Sequence, residues 1–256
     1  MEANPVRRHS VAVANFATTR WSLILCCGNG AKPTDEAHQA LTELCRIYWR
    51  PVFAFVCRRG YSVPDAQDLT QDFFVTLLKG NLLSLADPRR GRFRSLLCTA
   101  LRNFLADNHD KATRQKRGGH IEFVAWDDWM AEAPSQLSLA TGDLDGWTAE
   151  RIFDLRWAAT VVEQALRRLS EECAGRGRLR VFTLLSKSLT LDRSEISYAA
   201  LATSLGVPET AIKRLLHDLR ARFRAILREE VLQTVANPAE VDDEIRHLCA
   251  TLAANT

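Results

Sequence analysis

Three aspartates, Asp65, Asp68 and Asp72, recur at i, i+3 and i+7 within RGYSVPDAQDLTQDFF (residues 59–74), with Gln71 beside them. On a helix that spacing sets the carboxylates along one face. Such a row can ligate a hard cation, meet a basic protein surface, or stand in solvent. A cation demands more ligands than one row supplies, and the chain offers neither a second carboxylate cluster nor a histidine array. His109-Asp110, the other pair that could hold a metal, sits alone in a basic run. No metal and no cofactor is expected, and the chain reads as a non-enzyme without catalytic residues. Its seven cysteines include the vicinal Cys26-Cys27 but no CxxC pair. That pattern fits small core thiols in a reducing compartment better than zinc or a disulfide framework.

Two further sets carry charge of the opposite sign. Arg94, Arg102, Asn103 and Asp107, followed by Lys111, Arg114, Lys116 and Arg117, are assigned to the outer face and basic end of one helix. Cations there would be drawn to nucleic-acid backbone, while Asn103 and Asp107 could read exposed bases. Thr210, Lys213, Arg214, His217, Arg220 and Arg224 line one side of a second helix. In a major groove, such side chains meet phosphates and guanine edges.

Helical periodicity must position all three sets. Phe93, Leu96, Leu97, Ala100, Leu101, Phe104 and Leu105 form one apolar stripe, and Ala66, Leu69, Phe73, Phe74, Leu77 and Leu78 form another. Ser62 and Asp65 make a capping box for the latter. Residues 36–58 predict a further helix, and residues 19–27 a short one. Helical signal resumes near Thr148 and continues to about Glu230. In residues 197–227 Ser197 caps a short helix, Gly206 supplies the turn, and Pro208 starts the next helix. Its buried side is expected to be Ile212, Leu215, Leu216, Leu219 and Phe223. The arrangement is that of a helix-turn-helix. Asn237-Pro238 opens a last helix, with Val241, Ile245, Leu248 and Leu252 as its stripe. No segment alternates with period two, so the fold class is all-α: two helical domains joined by an acidic linker.

A composition of 46% hydrophobic and 25% charged residues belongs to a soluble globular protein. The longest apolar run, Trp21 to Cys27, is too short to span a bilayer, and no secretory signal is evident. Charge is segregated along the chain. Residues 1–120 hold 18 basic against 10 acidic residues, and residues 121–156 hold 2 against 8. Residues 157–232 hold 13 against 9, and residues 233–256 hold 1 against 4. Two basic blocks separated by an acidic strip suggest two modules that meet a polyanion. The strip also carries Trp126, Trp129 and Trp147, which a plain linker would not need.

Three stretches together resemble the bacterial RNA polymerase sigma factors of the extracytoplasmic-function (ECF) or ECF-like group. DAQDLTQDFFVTLL (65–78) is similar to the acidic helix that docks on the β′ clamp helices of core polymerase. FRSLLCTALRNFLADNHDKATRQKRGG (93–119) is similar to the helix that opens and reads the −10 element. SYAALATSLGVPETAIKRLLHDLRARFRAIL (197–227) is similar to the helix-turn-helix that reads the −35 element. The match spans about 20–120 and 155–232. Leu96 and Leu97 stand where family members often carry an aromatic residue near the melted strand.

The resemblance implies four segments. Residues 16–119 form a region 2-like domain and 120–154 an acidic linker that threads through polymerase near the path of RNA. Residues 155–232 form a region 4-like domain, and 233–256 a C-terminal extension helix. Asp65, Asp68, Gln71 and Asp72 would bind core polymerase. The set Arg94 to Arg117 would bind the −10 element, and the set Thr210 to Arg224 the −35 element. The implied partners are core RNA polymerase, through its β′ clamp helices and β flap, and promoter DNA. An anti-sigma factor, or regulation by the C-terminal tail in cis, would complete the list. The location implied is cytoplasmic, away from membranes. The alternative reading is a stand-alone helix-turn-helix regulator that binds duplex DNA unaided.

Overall fold

The computed structural model describes residues 35–79, 92–112, 146–235 and 237–254; side chains 41–44, 78–79 and 109–112 are not part of that description, nor are those of 35–40. Among the described residues every regular element is helical. In chain order they are α1 (Asp35–Arg58), α2 (Val63–Lys79), α3 (Phe93–Ala112), α4 (Ala149–Gly175), α5 (Leu179–Leu185), α6 (Tyr198–Leu205), α7 (Glu209–Leu232) and α8 (Val241–Ala253). Short 3₁₀ turns at Ser186–Ser188 and Pro238–Glu240 follow α5 and precede α8. The expected helix at 19–27, and Trp126 and Trp129 of the acidic strip, lie outside the described residues. None of the described helices is long and apolar enough to cross a membrane.

The caps follow from local chemistry. At the start of α2, the Asp65 backbone N–H donates to Ser62 Oγ at 3.3 Å, and the Ser62 hydroxyl donates to Asp65 Oδ2 at 2.6 Å. Thr148 begins α4 by accepting from the Arg151 N–H at 3.2 Å. The helix therefore starts upstream of the 154/155 boundary expected between linker and second domain, and that boundary falls within its first turns. α4 stops at Gly175-Arg176-Gly177. There Gly177 has φ 68°, and the Arg178 N–H reaches back to the Cys173 carbonyl at 2.7 Å. This left-handed close satisfies carbonyls that the helix end would otherwise strand.

α4 is the spine. From Ile152 to Ala165 only Asp154, Arg156 and Glu163 are less than fully buried. A helix apolar on all sides must be covered on all sides. α1 lies along one flank, and α7 and α8 cover the rest. Buried residues from Ile47 to Leu248 join in one cluster, which spans the stretches that the sequence pattern assigns to two helical domains. Aromatic rings fill the α1 side. Tyr48 meets Phe93 edge-on at 5.3 Å, and Trp49 stacks on Phe74 at 5.5 Å. Arg50 on α1 donates to Glu163 on α4 at 2.8 Å. Trp147 is held at the head of α4 by the Arg58 side chain, which donates to its carbonyl at 2.8 Å, and by the Arg151 guanidinium 3.5 Å above its ring.

Among the described cysteines, Cys98 and Cys173 are buried and Cys45 and Cys57 half-buried, whereas Cys249 is exposed. Burial pushes the Cys98 thiol up to about 11 and the Cys45 thiol up to about 12, out of range of thiolate chemistry at neutral pH.

Candidate protein-docking and nucleic-acid surfaces

On α2, Ala66, Phe73, Phe74 and Leu77 are buried, while Leu69 is half-buried. Thr70 fills the remaining inner position, its hydroxyl donating to the Ala66 carbonyl at 2.6 Å. Asp65, Asp68 and Asp72 are all exposed on the other side, and Gln71 is half-buried beside them. The acidic row is thus a genuine surface stripe. Its members differ in freedom, because Asp65 is engaged by the Ser62 hydroxyl at the cap.

α3 departs from expectation at its first turn. Arg94 was assigned to the outer face with the cations, yet it is only 6% exposed and belongs to the interior. Its Nε donates to Glu244 Oε1 at 2.7 Å and its Nη1 to Asp154 Oδ1 at 2.6 Å, while its guanidinium lies 5.0 Å from the Trp157 ring. Burial alone would depress this guanidinium, but Asp154 and Glu244 outweigh it and raise its pKa above the ordinary value. Nη1 also donates to His247 Nε2 at 3.0 Å. Burial first, and then Arg94, holds the His247 imidazole below its ordinary value, as suits a neutral acceptor. Arg94 is therefore withdrawn from the −10 set. Arg102, Asn103 and Asp107 do stand exposed, with Glu150 of α4 at 3.9 Å from Arg102. The side chain of Lys111, and residues Arg114, Lys116 and Arg117, fall outside the description.

The third surface is built by α6, α7 and the segment before them. The φ of Gly206 is +70°, and its N–H closes α6 on the Ala202 and Thr203 carbonyls. Ser197 occupies the cap position of α6 without a side-chain cap bond, and Pro208 is the cap of α7, which starts at Glu209, one residue later than expected. Ile212, Leu216 and Leu219 are buried, with Leu215 and Phe223 half-buried. Two grips fasten the helix to α4: Arg222 bidentate on Glu172 at 2.8 and 2.6 Å, and Arg168 bridging Glu229 and Glu230, both at 2.6 Å. With its acids on the α4 side so occupied, α7 presents Thr210, Lys213, Arg214, His217 and Arg224 to solvent. A groove of about 680 Å³ runs between this row and the preceding segment, with no carboxylate in its lining.

Arg220 does not share the row's freedom. It is half-buried and donates to the carbonyls of Ser188 (2.8 Å), Leu189 (3.1 Å) and Leu191 (2.5 Å). Its assignment as a −35 reader is corrected to that of a brace that shapes the groove wall. Two groove residues were missed by periodicity. Arg193 comes from the braced segment itself, and Tyr198 from the start of α6, its ring 5.2 Å from the Lys213 ammonium. Arg193 sits in no helix, so no stripe could have flagged it.

Replacing Gly206 by alanine is expected to cost about 1–2 kcal/mol, since an L-residue resists the left-handed backbone. Nothing lies within 4 Å of the added methyl, so the penalty is purely conformational. A denaturant midpoint measured on the variant checks it, and an unchanged midpoint would mean that the turn relaxes.

Arranged this way, the molecule offers an acidic stripe on α2, carried on α1, and a basic groove on α6–α7; α1 and α7 both pack on the α4 spine. Among the described residues, no three His, Cys, Asp or Glu side chains come together in a way that could hold a metal ion. No protein-family model, curated protein or solved structure matches the chain.

Proposed function

We propose that the chain is a transcription initiation factor of the ECF sigma type, acting in the cytoplasm without catalysis of its own. The observation that carries this reading is the carboxylate-free groove of α6–α7, whose exposed cations suit a phosphate backbone. In this reading α6, the Gly206 turn and α7 are a helix-turn-helix that lies in the −35 major groove. Thr210, Lys213, Arg214 and His217 read or grip the duplex, and Arg193 and Arg224 hold its backbone. Arg102, Asn103 and Asp107 of α3 face the −10 element. Asp68, Asp72 and Gln71, with Asp65 at the cap, dock on a basic surface of core RNA polymerase.

Run-off transcription with purified core polymerase and a promoter library tests the proposal. Initiation that depends on this chain supports it. Tight, polymerase-independent binding to duplex DNA with no initiation would replace it by the stand-alone regulator. Lys213→Ala with Arg214→Ala is expected to cut −35-dependent initiation at least about tenfold and to lower the salt slope of duplex binding by about 1.8, roughly 0.9 for each phosphate contact removed. Core-polymerase binding should be unchanged. Its loss in this pair would make the α6–α7 face a docking surface instead.

A further inference from the structure

α8 is attached by two unlike seams. Val241 and Leu248, each 1% exposed, are its apolar seam. The other seam is ionic. Glu244, also 1% exposed, accepts from Arg94 Nε at 2.7 Å and Nη2 at 3.4 Å, and stands 2.9 Å from Arg92 Nε. A residue near the C-terminus thus closes on the first turn of α3, 150 positions earlier. At the N-terminal end of α8, Asp242 pairs with Arg228 of α7 in full solvent exposure.

Two adjacent arginines meeting one carboxylate are arranged as they would be around a phosphate, since both anions accept parallel N–H bonds from guanidinium. The arginines stand at the head of the helix whose exposed Arg102, Asn103 and Asp107 face outward. The ionic seam is also the one suited to opening. Separated charges recover hydration, which offsets most of their lost attraction. The α1–α4 seam also holds an ion pair, Arg50 with Glu163, but opening it would wet large rings such as Tyr48, Phe153 and Trp157, a greater apolar loss than Val241 and Leu248 of α8.

We propose that α8 is an autoinhibitory clasp: docked, Glu244 occupies Arg92 and the Nε edge of Arg94; undocked, it leaves both to the phosphates of the nucleic acid that α3 meets. The inference rests on the proposed function for the identity of that polyanion, whereas the opening itself does not depend on it.

Native-state hydrogen exchange on the full chain tests the opening. The amides of α8 are expected to exchange together, at least about 100-fold faster than those of α4, through a local event of their own. Exchange of α8 in step with α4 in the wild-type chain would overturn the clasp. Glu244→Gln keeps the volume but removes the charge. It is expected to speed α8 exchange and to tighten binding of a short fluorescein-labelled single-stranded DNA by about tenfold, in proportion to the open fraction. The salt slope should steepen by about 0.7 for each phosphate gained. An unchanged affinity and slope, with α8 opening faster, would also overturn it. Asp242→Asn loosens the exposed end without touching the buried cluster, so it serves if Glu244→Gln fails to fold, with a smaller gain expected and no gain counting against the clasp. These readouts use no polymerase. A chain that fails in run-off transcription yet shows them keeps the clasp as a property of a stand-alone nucleic-acid binder.

Discussion

Glu244→Ala is expected to lower the unfolding free energy by about 3–5 kcal/mol, the scale for removing one partner of a buried ion pair. The cost arises at Arg94, which is 6% exposed and would be left with two N–H groups facing an alanine. Asp154 would still accept from Nη1, so the guanidinium is not wholly abandoned. A domain's entire stability is about 5–15 kcal/mol, so such a loss brings the chain near its folding threshold. The denaturant midpoint should fall with little change in slope. Replacing both partners, Arg94→Met with Glu244→Leu, should recover most of the loss, because apolar residues of similar size remove the desolvation cost along with the attraction. A loss below about 1 kcal/mol in Glu244→Ala would show that water reaches Arg94. This prediction does not conflict with easy undocking of α8. Undocking hydrates Arg94, so the free energy of docking α8 sets the ceiling on the loss, and a Glu244→Ala chain that reaches it holds α8 open.

Asp68→Arg is expected to weaken binding to core RNA polymerase by about 100-fold or more, because a like charge placed against a basic surface costs several kcal/mol. The fold should be spared. Asp68 is exposed, and no hydrogen bond or ion pair to it is present among the described residues. Exposed substitutions of that kind stay within about 0.5 kcal/mol. Fluorescence anisotropy with labelled chain and core enzyme measures the loss, and thermal melting verifies the fold. Retained wild-type affinity would take the docking role away from α2. Asp65 makes a poorer probe, since its carboxylate accepts from Ser62 and its loss would weaken the helix start as well.

Much of this architecture was legible in the chain. The stripes of α2, α7 and α8 emerge where the period of 3.6 places them, and Thr148, Gly206 and Asn237 mark real boundaries. At Arg94 charge is no guide to exposure. Arg94 lies in line with Cys98, Leu101 and Leu105, at i+4, i+7 and i+11, all of them buried. The period alone would have placed it inside. Its partners could not be read at all, since Asp154 and Glu244 are 60 and 150 positions away. The packing of α4 against helices of both expected domains could not be read for a similar reason. A helix buried on every side, such as α4, gives no stripe to say which neighbours cover it.

The bracing of Ser188, Leu189 and Leu191 by Arg220 separates the frame of the basic groove from its readers. A lysine could not replace that planar fork, so position 220 has little room to vary. Lys213, Arg214 and His217 project from a wall that does not depend on them. Under the proposed function, sequence preference could then be retuned, by evolution or by library selection, at those three positions while the groove keeps its shape. The α7 surface has room to vary at its exposed positions and is constrained one turn away.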